Sequence, residues 1–162
     1  MNLFVSYSCL LLILGSLVDT NTARAAKGEE PLPLDHVPKA VMDAVKKKFP
    51  DAKPQSAAKG TEDNKPYIEV HVKVKTENIW LTCDPNGTIQ VVDREITFSK
   101  LPKPVVDAFH KKYPKATIRE VHEIAEDDEP SYDIALTHNK KKVVATFEAN
   151  GEFVEETEDD EK

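Results

Sequence analysis

The chain is short of cysteine, of glycine and of positive charge, and each shortage removes a class of function. Cys9 and Cys83 are its two cysteines in 162 residues. Cys9 lies in an N-terminal stretch that reads as an export signal, so the mature chain keeps only Cys83 and can form no intramolecular disulfide. Five glycines leave little backbone for a phosphate-cradling loop, and neither such a loop nor a G-x-S-x-G elbow occurs. A net charge of −7 at pH 7 argues against nucleic acid or an anionic membrane surface as partner. None of the five histidines (His36, His71, His110, His122, His138) falls in an H-x-x-x-H or H-E-x-x-H pattern, so neither a metal site nor a cofactor is expected. Asp127, Glu129, Ser131 and Asp133 show calcium-loop spacing, but Tyr132 stands where that loop needs Gly and His138 where it needs Glu. The expectation is a protein that is not an enzyme.

Long apolar runs are also scarce. One extends from Cys9 to Val18, and about ten residues are too few to cross a bilayer as a helix. Small residues follow, with Ala23 and Ala25 flanking Arg24. That order fits a secretory signal with an A-x-A site and cleavage before Ala26. Residues 1–25 are therefore expected to be a signal peptide, which places the mature protein in a secreted or periplasmic location with no membrane contact after cleavage.

What the chain does have is an internal repeat. Val37–Glu95 lies over Leu101–Asp159 without gaps at an offset of 64 residues. About 15 of 59 positions are identical, a modest fraction whose placement matters more than its size. Val37-Pro38-Lys39 matches Leu101-Pro102-Lys103, Lys47-Lys48-Phe49-Pro50 matches Lys111-Lys112-Tyr113-Pro114, and Asn86-Gly87 matches Asn150-Gly151. The coinciding residues are those that start, stop and turn a chain. In each copy a proline opens a helix, apolar residues follow at helical spacing (Val41, Ala44, Val45, Phe49; Val105, Ala108, Phe109, Tyr113), lysines fill the last turn, and a proline closes it. Strands with period two follow: Ile68, Val70 and Val72 alternate with Glu69 and His71, and Tyr132, Ile134 and Leu136 with Asp133 and Ala135. The Asn-Gly pairs mark hairpin turns. That also accounts for the formal glycosylation sequon Asn86-Gly87-Thr88, whose counterpart Asn150-Gly151-Glu152 keeps the turn and loses the sequon.

The expected fold is α+β, as two tandem modules, each one helix packed on a three- to four-stranded antiparallel sheet. The organisation reads as a 26–34 linker, module 1 over 35–96, module 2 over 97–157, and an acidic tail over 158–162. The first strand of module 1, Pro54 to Gly60, is weakly patterned. The acidic run from Glu155 to Glu161 reads as a solvated end.

Alternation assigns two faces. Ile68, Val70, Val72, Ile79, Leu81, Cys83, Ile89 and Val91 are expected toward the helix in module 1, and Tyr132, Ile134, Leu136, Val143, Ala145, Phe147 and Phe153 in module 2. Cys83 aligns with Phe147, a core position, so it reads as a buried thiol. The opposite face carries Tyr67, Glu69, His71, Trp80, Thr82 and Gln90, against Ser131, Asp133, Ala135, Val144, Thr146 and Val154 in the second copy. Trp80, Tyr67, His71 and Glu69 are the candidate binding residues, because Trp is enriched at interface hot spots. Trp80 either anchors that face or packs against the other module.

These residues resemble a known family. The succession Leu101-Pro102, Val106-Asp107-Ala108-Phe109, Lys111-Lys112-Tyr113-Pro114, Tyr132-x-Ile134-x-Leu136 and Phe147-x-x-Asn150-Gly151 is similar to the PepSY-like domain, also described as β-lactamase-inhibitor-like. Both copies share it over roughly residues 35–160. The resemblance implies an exported bacterial module without catalysis, whose tandem units can align their sheets to grip another protein. It also implies an association with protease regulation. The functional expectation is a protein- or peptide-binding module, with regulation or inhibition of a protease as its finer form. The alternative is a small-ligand or calcium-binding protein of the cell envelope.

Overall fold

Residues 29–126 and 129–159 are described in the structure, a computed structural model. The expected signal at 1–25, the first residues of the linker and residues 160–162 lie outside the described residues. In chain order the elements are β1 (Glu30–Pro31), α1 (Lys39–Lys48), β2 (Lys53–Glu62), β3 (Lys65–Val74), β4 (Glu77–Cys83), β5 (Ile89–Glu95), α2 (Lys103–Lys112), β6 (Thr117–Glu126), β7 (Glu129–His138), β8 (Lys141–Glu148) and β9 (Phe153–Glu158). Short 3-10 turns at Leu34–His36 and Phe98–Lys100 precede the two helices.

The strands form one nine-stranded antiparallel sheet in the order β1-β2-β3-β4-β5-β6-β7-β8-β9. This corrects the expected α+β fold with a separate small sheet in each module. Among the described residues the protein is mostly β, with two short helices against a single sheet. The joint is β5 against β6, running from Val91↔Glu126 to Glu95↔His122. Two separate sheets would leave the main-chain groups of both strands unpaired at open edges, and pairing them removes that liability.

The helices bury one stripe each. Val41 and Val45 of α1 pack on Val70, Val72, Ile79, Leu81 and Val92, and Val105 and Phe109 of α2 pack on Val121, Ile134, Leu136, Ala145 and Phe147. Each fully buried side chain of this kind stabilises by roughly 1.5–3 kcal/mol. Cys83 is fully buried in the first cluster, and burial pushes its thiol up to about 12, so it is an inert core residue. The register across the joint sets Val92 opposite Ala125 and Arg94 opposite Glu123. Antiparallel partners share a face, so Val92 and Val121 point the same way and both helices cover one side of the sheet. Among the described residues the other side carries no helix.

Departures from the expected alternation have one cause. Register shifts interrupt the ladder at Pro54/Ser56, Thr82/Cys83, Ile118/Glu120 and Thr146/Phe147, and such bulges swap the faces beyond them. Thus Val91 pairs with Thr82 on the open side, while Val92, its neighbour, enters the core. Gln90 and Val154 fall at the bulges and are exposed. Strand β2 extends the full Lys53–Glu62 despite its weak pattern. The run from Glu155 is not a loose end in its first part, because Glu155–Glu158 belong to β9 and Asp159 is buried against Arg119.

Each Asn-Gly turn packs against the start of its helix. Gly87 has φ +91 and Gly151 φ +89; an added Cβ would lie 2.5 Å from the carbonyl oxygen of Ala40 or of Pro104. Positive φ and contact with backbone both demand glycine. Gly87→Ala is expected to cost about 2 kcal/mol in urea unfolding. A loss within about 0.5 kcal/mol would show that the turn can swing clear of the helix.

Candidate functional site

The open side of the sheet places Trp80, its largest side chain, near the joint between the repeats. Trp80 on β4 lies opposite His71 on β3 and opposite Asp93 on β5. The His71 ring stacks on Trp80 with centroids 4.6 Å apart and planes 9° from parallel. The His122 ring on β6 approaches Trp80 at 5.8 Å and 45°. Trp80 is half-buried, flanked by two imidazoles. His71 in turn lies 3.4 Å from Oδ1 of Asn78, whose amide donates to Glu95 at 2.7 Å.

Beneath this aromatic group is a buried polar pair that bridges the two repeats. Nδ1 of His122 lies 2.6 Å from Oδ1 of Asp93, and both residues are 3% exposed. Asp133 on β7 is opposite His122 and accepts a hydrogen bond from the Thr146 hydroxyl at 2.6 Å. Burial, followed in order by the Thr146 hydrogen bond that opposes it and by the repulsion of Asp93, leaves the Asp133 carboxyl pushed up to about 6. Glu69, Glu95, Glu120 and Glu155 lie on the same side as Trp80, where Lys73, two residues beyond His71, is the nearby cation, so carboxylates outnumber it around the indole. The lysines of the helices, Lys46–Lys48 and Lys111–Lys112, lie on the other side.

The four residues singled out from the sequence do not all converge. Trp80 and His71 stack. Glu69 is two residues from His71 on the same face, opposite Thr82. Tyr67 lies roughly 13 Å further along β3 from His71, at about 3.3 Å per residue. There its hydroxyl donates to Glu29 at 2.8 Å and its ring covers Gly60. Asp93 and His122 escaped sequence reasoning. A bulge hides the face of Asp93, and His122 aligns with Ala58, so the repeat gives no hint of it. Of the calcium-loop spacing, Asp127 lies outside the described residues, and Glu129, Ser131 and Asp133 belong to strand β7. Among the described residues no group of three or more His, Cys, Asp or Glu is placed to hold a metal ion. No helix among them is long and apolar enough to cross a membrane.

Comparison with known proteins agrees with this geometry. The family model described as "Putative beta-lactamase-inhibitor-like, PepSY-like" matches twice, over residues 25–91 and 76–155. A BLIP-like protein from Bacteroides fragilis superposes with a TM-score of 0.62 at 23% identity, covering 78% of this chain and 87% of that one. A "putative periplasmic" protein from Bacteroides eggerthii gives 0.65 at 18% identity over 75% and 88%. A DUF2874 family protein from Bacteroides uniformis gives 0.65 at 17% over 75% and 88%. At these identities the likeness is one of fold. Among curated proteins none matches.

Proposed function

This chain belongs to the PepSY-like, β-lactamase-inhibitor-like family, and from that premise we propose that it is an exported binding protein whose open sheet face takes up a protein or peptide segment. The carrying observation is that both helices cover one side of a nine-stranded sheet, while the other presents Trp80 between His71 and His122. Large aromatic side chains in partly desolvated settings are the usual anchors of protein interfaces. The carboxylates around Trp80 favour a segment bearing Lys or Arg, by charge complementarity that speeds encounter and sets register. Export rests on the apolar run and A-x-A site near the N-terminus and on the "putative periplasmic" description of a protein with the same fold. A periplasmic or secreted protein without catalysis is the whole of this reading. Regulation or inhibition of a protease is its finer form.

Trp80→Ala is expected to weaken capture of the partner by about 30-fold, near 2 kcal/mol. Immobilised wild-type and variant proteins, exposed to the same periplasmic extract, give the comparison. If both retain the same proteins in equal amounts, the open face is not the binding surface. If a retained protein is a protease, its peptidase activity with and without the chain tests the finer form.

A further inference from the structure

The N-terminal edge of the sheet repeats the geometry of the joint between modules. Glu30 pairs with Lys59 and Pro31 with Ala58; 64 residues later, Arg94 pairs with Glu123 and Glu95 with His122. The amide of Leu32 donates to the Ala57 carbonyl at 2.9 Å, and that of Ile96 to the Val121 carbonyl at 2.9 Å. Leu32 packs on the first core and Ile96 on the second, and a 3-10 turn follows each. The segment Glu30–Leu32 therefore sits on β2 as the end of β5 sits on β6. It is a short stand-in for the last strand of a preceding module. A cleft of about 590 Å³, lined among others by Glu30, Leu32, Lys59, Thr61 and Tyr67, runs beside this edge.

At the far edge, β9 (Phe153–Glu158) is the repeat counterpart of β5, as β6 is of β2. We propose that Glu30–Leu32 covers a strand edge built to join modules, and that with this cover displaced the edge accepts β9 of a second copy of the chain. The join would reproduce the β5–β6 register. It sets Glu158 opposite Lys59, an opposite-charge pair with the signs of Arg94 and Glu123 exchanged. Thr157 then meets Gly60 and Glu156 meets Thr61; Glu155 and Glu62 are the one like-charged pair. Lys59 is at present held by Glu30 at 3.1 Å, so the cover supplies the carboxylate that Glu158 would bring. Pro31 offers no amide hydrogen, a common means of blunting an edge. The join is heterologous, so nothing closes it at two copies and it propagates head to tail.

The test is sedimentation velocity on the chain beginning at Ala26, over a range of concentrations. The unsubstituted chain is expected to stay monomeric. Glu30→Lys/Leu32→Asp, which repels Lys59 and lifts Leu32 from the core, is expected to raise the weight-average mass with concentration to that of a dimer and beyond. In a Glu30→Ala/Leu32→Asp background, which also associates and where residue 30 has no charge to re-form the cover pair, adding Lys59→Glu returns the chain to monomer, and adding Glu158→Lys as well restores association. A partly unfolded protein that merely aggregates would not follow this reversal and rescue. Should the double substitution prevent folding, as judged by circular dichroism, Glu30→Lys alone keeps Leu32 in place and is expected to associate more weakly. Monomer at every concentration in a folded edge variant overturns the proposal, as does association that ignores both charge changes.

Discussion

His122→Ala is expected to cost about 3 kcal/mol of stability, the upper end for taking the hydrogen-bond partner from a buried polar group. The side chain spans the joint between the repeats, with Nδ1 2.6 Å from Oδ1 of Asp93 and its ring 5.8 Å from that of Trp80. Oδ2 of Asp93 has no hydrogen-bond partner among the described residues. The substitution would therefore leave that carboxylate 3% exposed without its partner on Oδ1 as well. The hole left by the ring adds a packing loss. Asp93→Ala is expected to be nearly as damaging. The double variant should cost less than the sum, because once either partner is gone the other has less to lose. Urea unfolding followed through Trp80, the only tryptophan in the chain, gives all four stabilities. Costs that add to within about 0.5 kcal/mol would mean that the two residues act independently and that the joint is held by the β5–β6 ladder alone.

The joint is also where the sequence was hardest to read. Helix positions, the alternation of Ile68, Val70 and Val72, and both Asn-Gly turns are local features, and a repeat shows them twice. The edge to which a strand pairs is not local. Nothing in Val91-Val92-Asp93-Arg94-Glu95 says that β6 lies beside it, so two modules read as two sheets. Bulges hide faces for the same reason: one extra residue between Thr82 and Cys83 and their partners on β5 puts Val92 inward and Asp93 on the open side. Strand β2 lacks β-branched residues over Pro54–Gly60. It is ordered by its ladder with β3, by Ala57 in the core and by the Tyr67 ring laid over Gly60, a case of context overriding propensity. Glu155–Glu158 looked solvated because they are charged, and charge is what an exposed edge strand carries. Of the open-face site, Trp80 and His71 were legible as aromatic residues on a polar face. Asp93 and His122 were not, since the repeat offers Thr157 and Ala58 in their places.

Asp133 should make the protein less stable as the pH rises from about 4 to 6. Its carboxyl is pushed up from an ordinary 3.8 to about 6, first by burial and further by the negative charges of Asp93 and Glu155. Over that window the folded chain holds a proton that the unfolded chain has released, so unfolding becomes easier with each step in pH. The contribution is fully present below pH 3.8, falls through the window and is flat above pH 6. The whole gap is worth about 3 kcal/mol. Glu77 and Asp84 titrate in the opposite sense: the Lys100 side chain lowers the first, and the Thr88 backbone amide lowers the second. Their contribution is gained as the pH rises, mostly below pH 5. The measurement must therefore be a difference. Asp133→Asn keeps an oxygen for the Thr146 hydroxyl, leaves Glu77 and Asp84 untouched and carries no charge to bury. Its stability relative to wild type is expected to improve steadily from pH 4 to pH 6 and then hold constant, read from urea midpoints at each pH. A gap between the two proteins that stays the same throughout would mean that Asp133 ionises in the folded sheet as readily as in the open chain. The polar group under Trp80 would then be wetter than its burial implies.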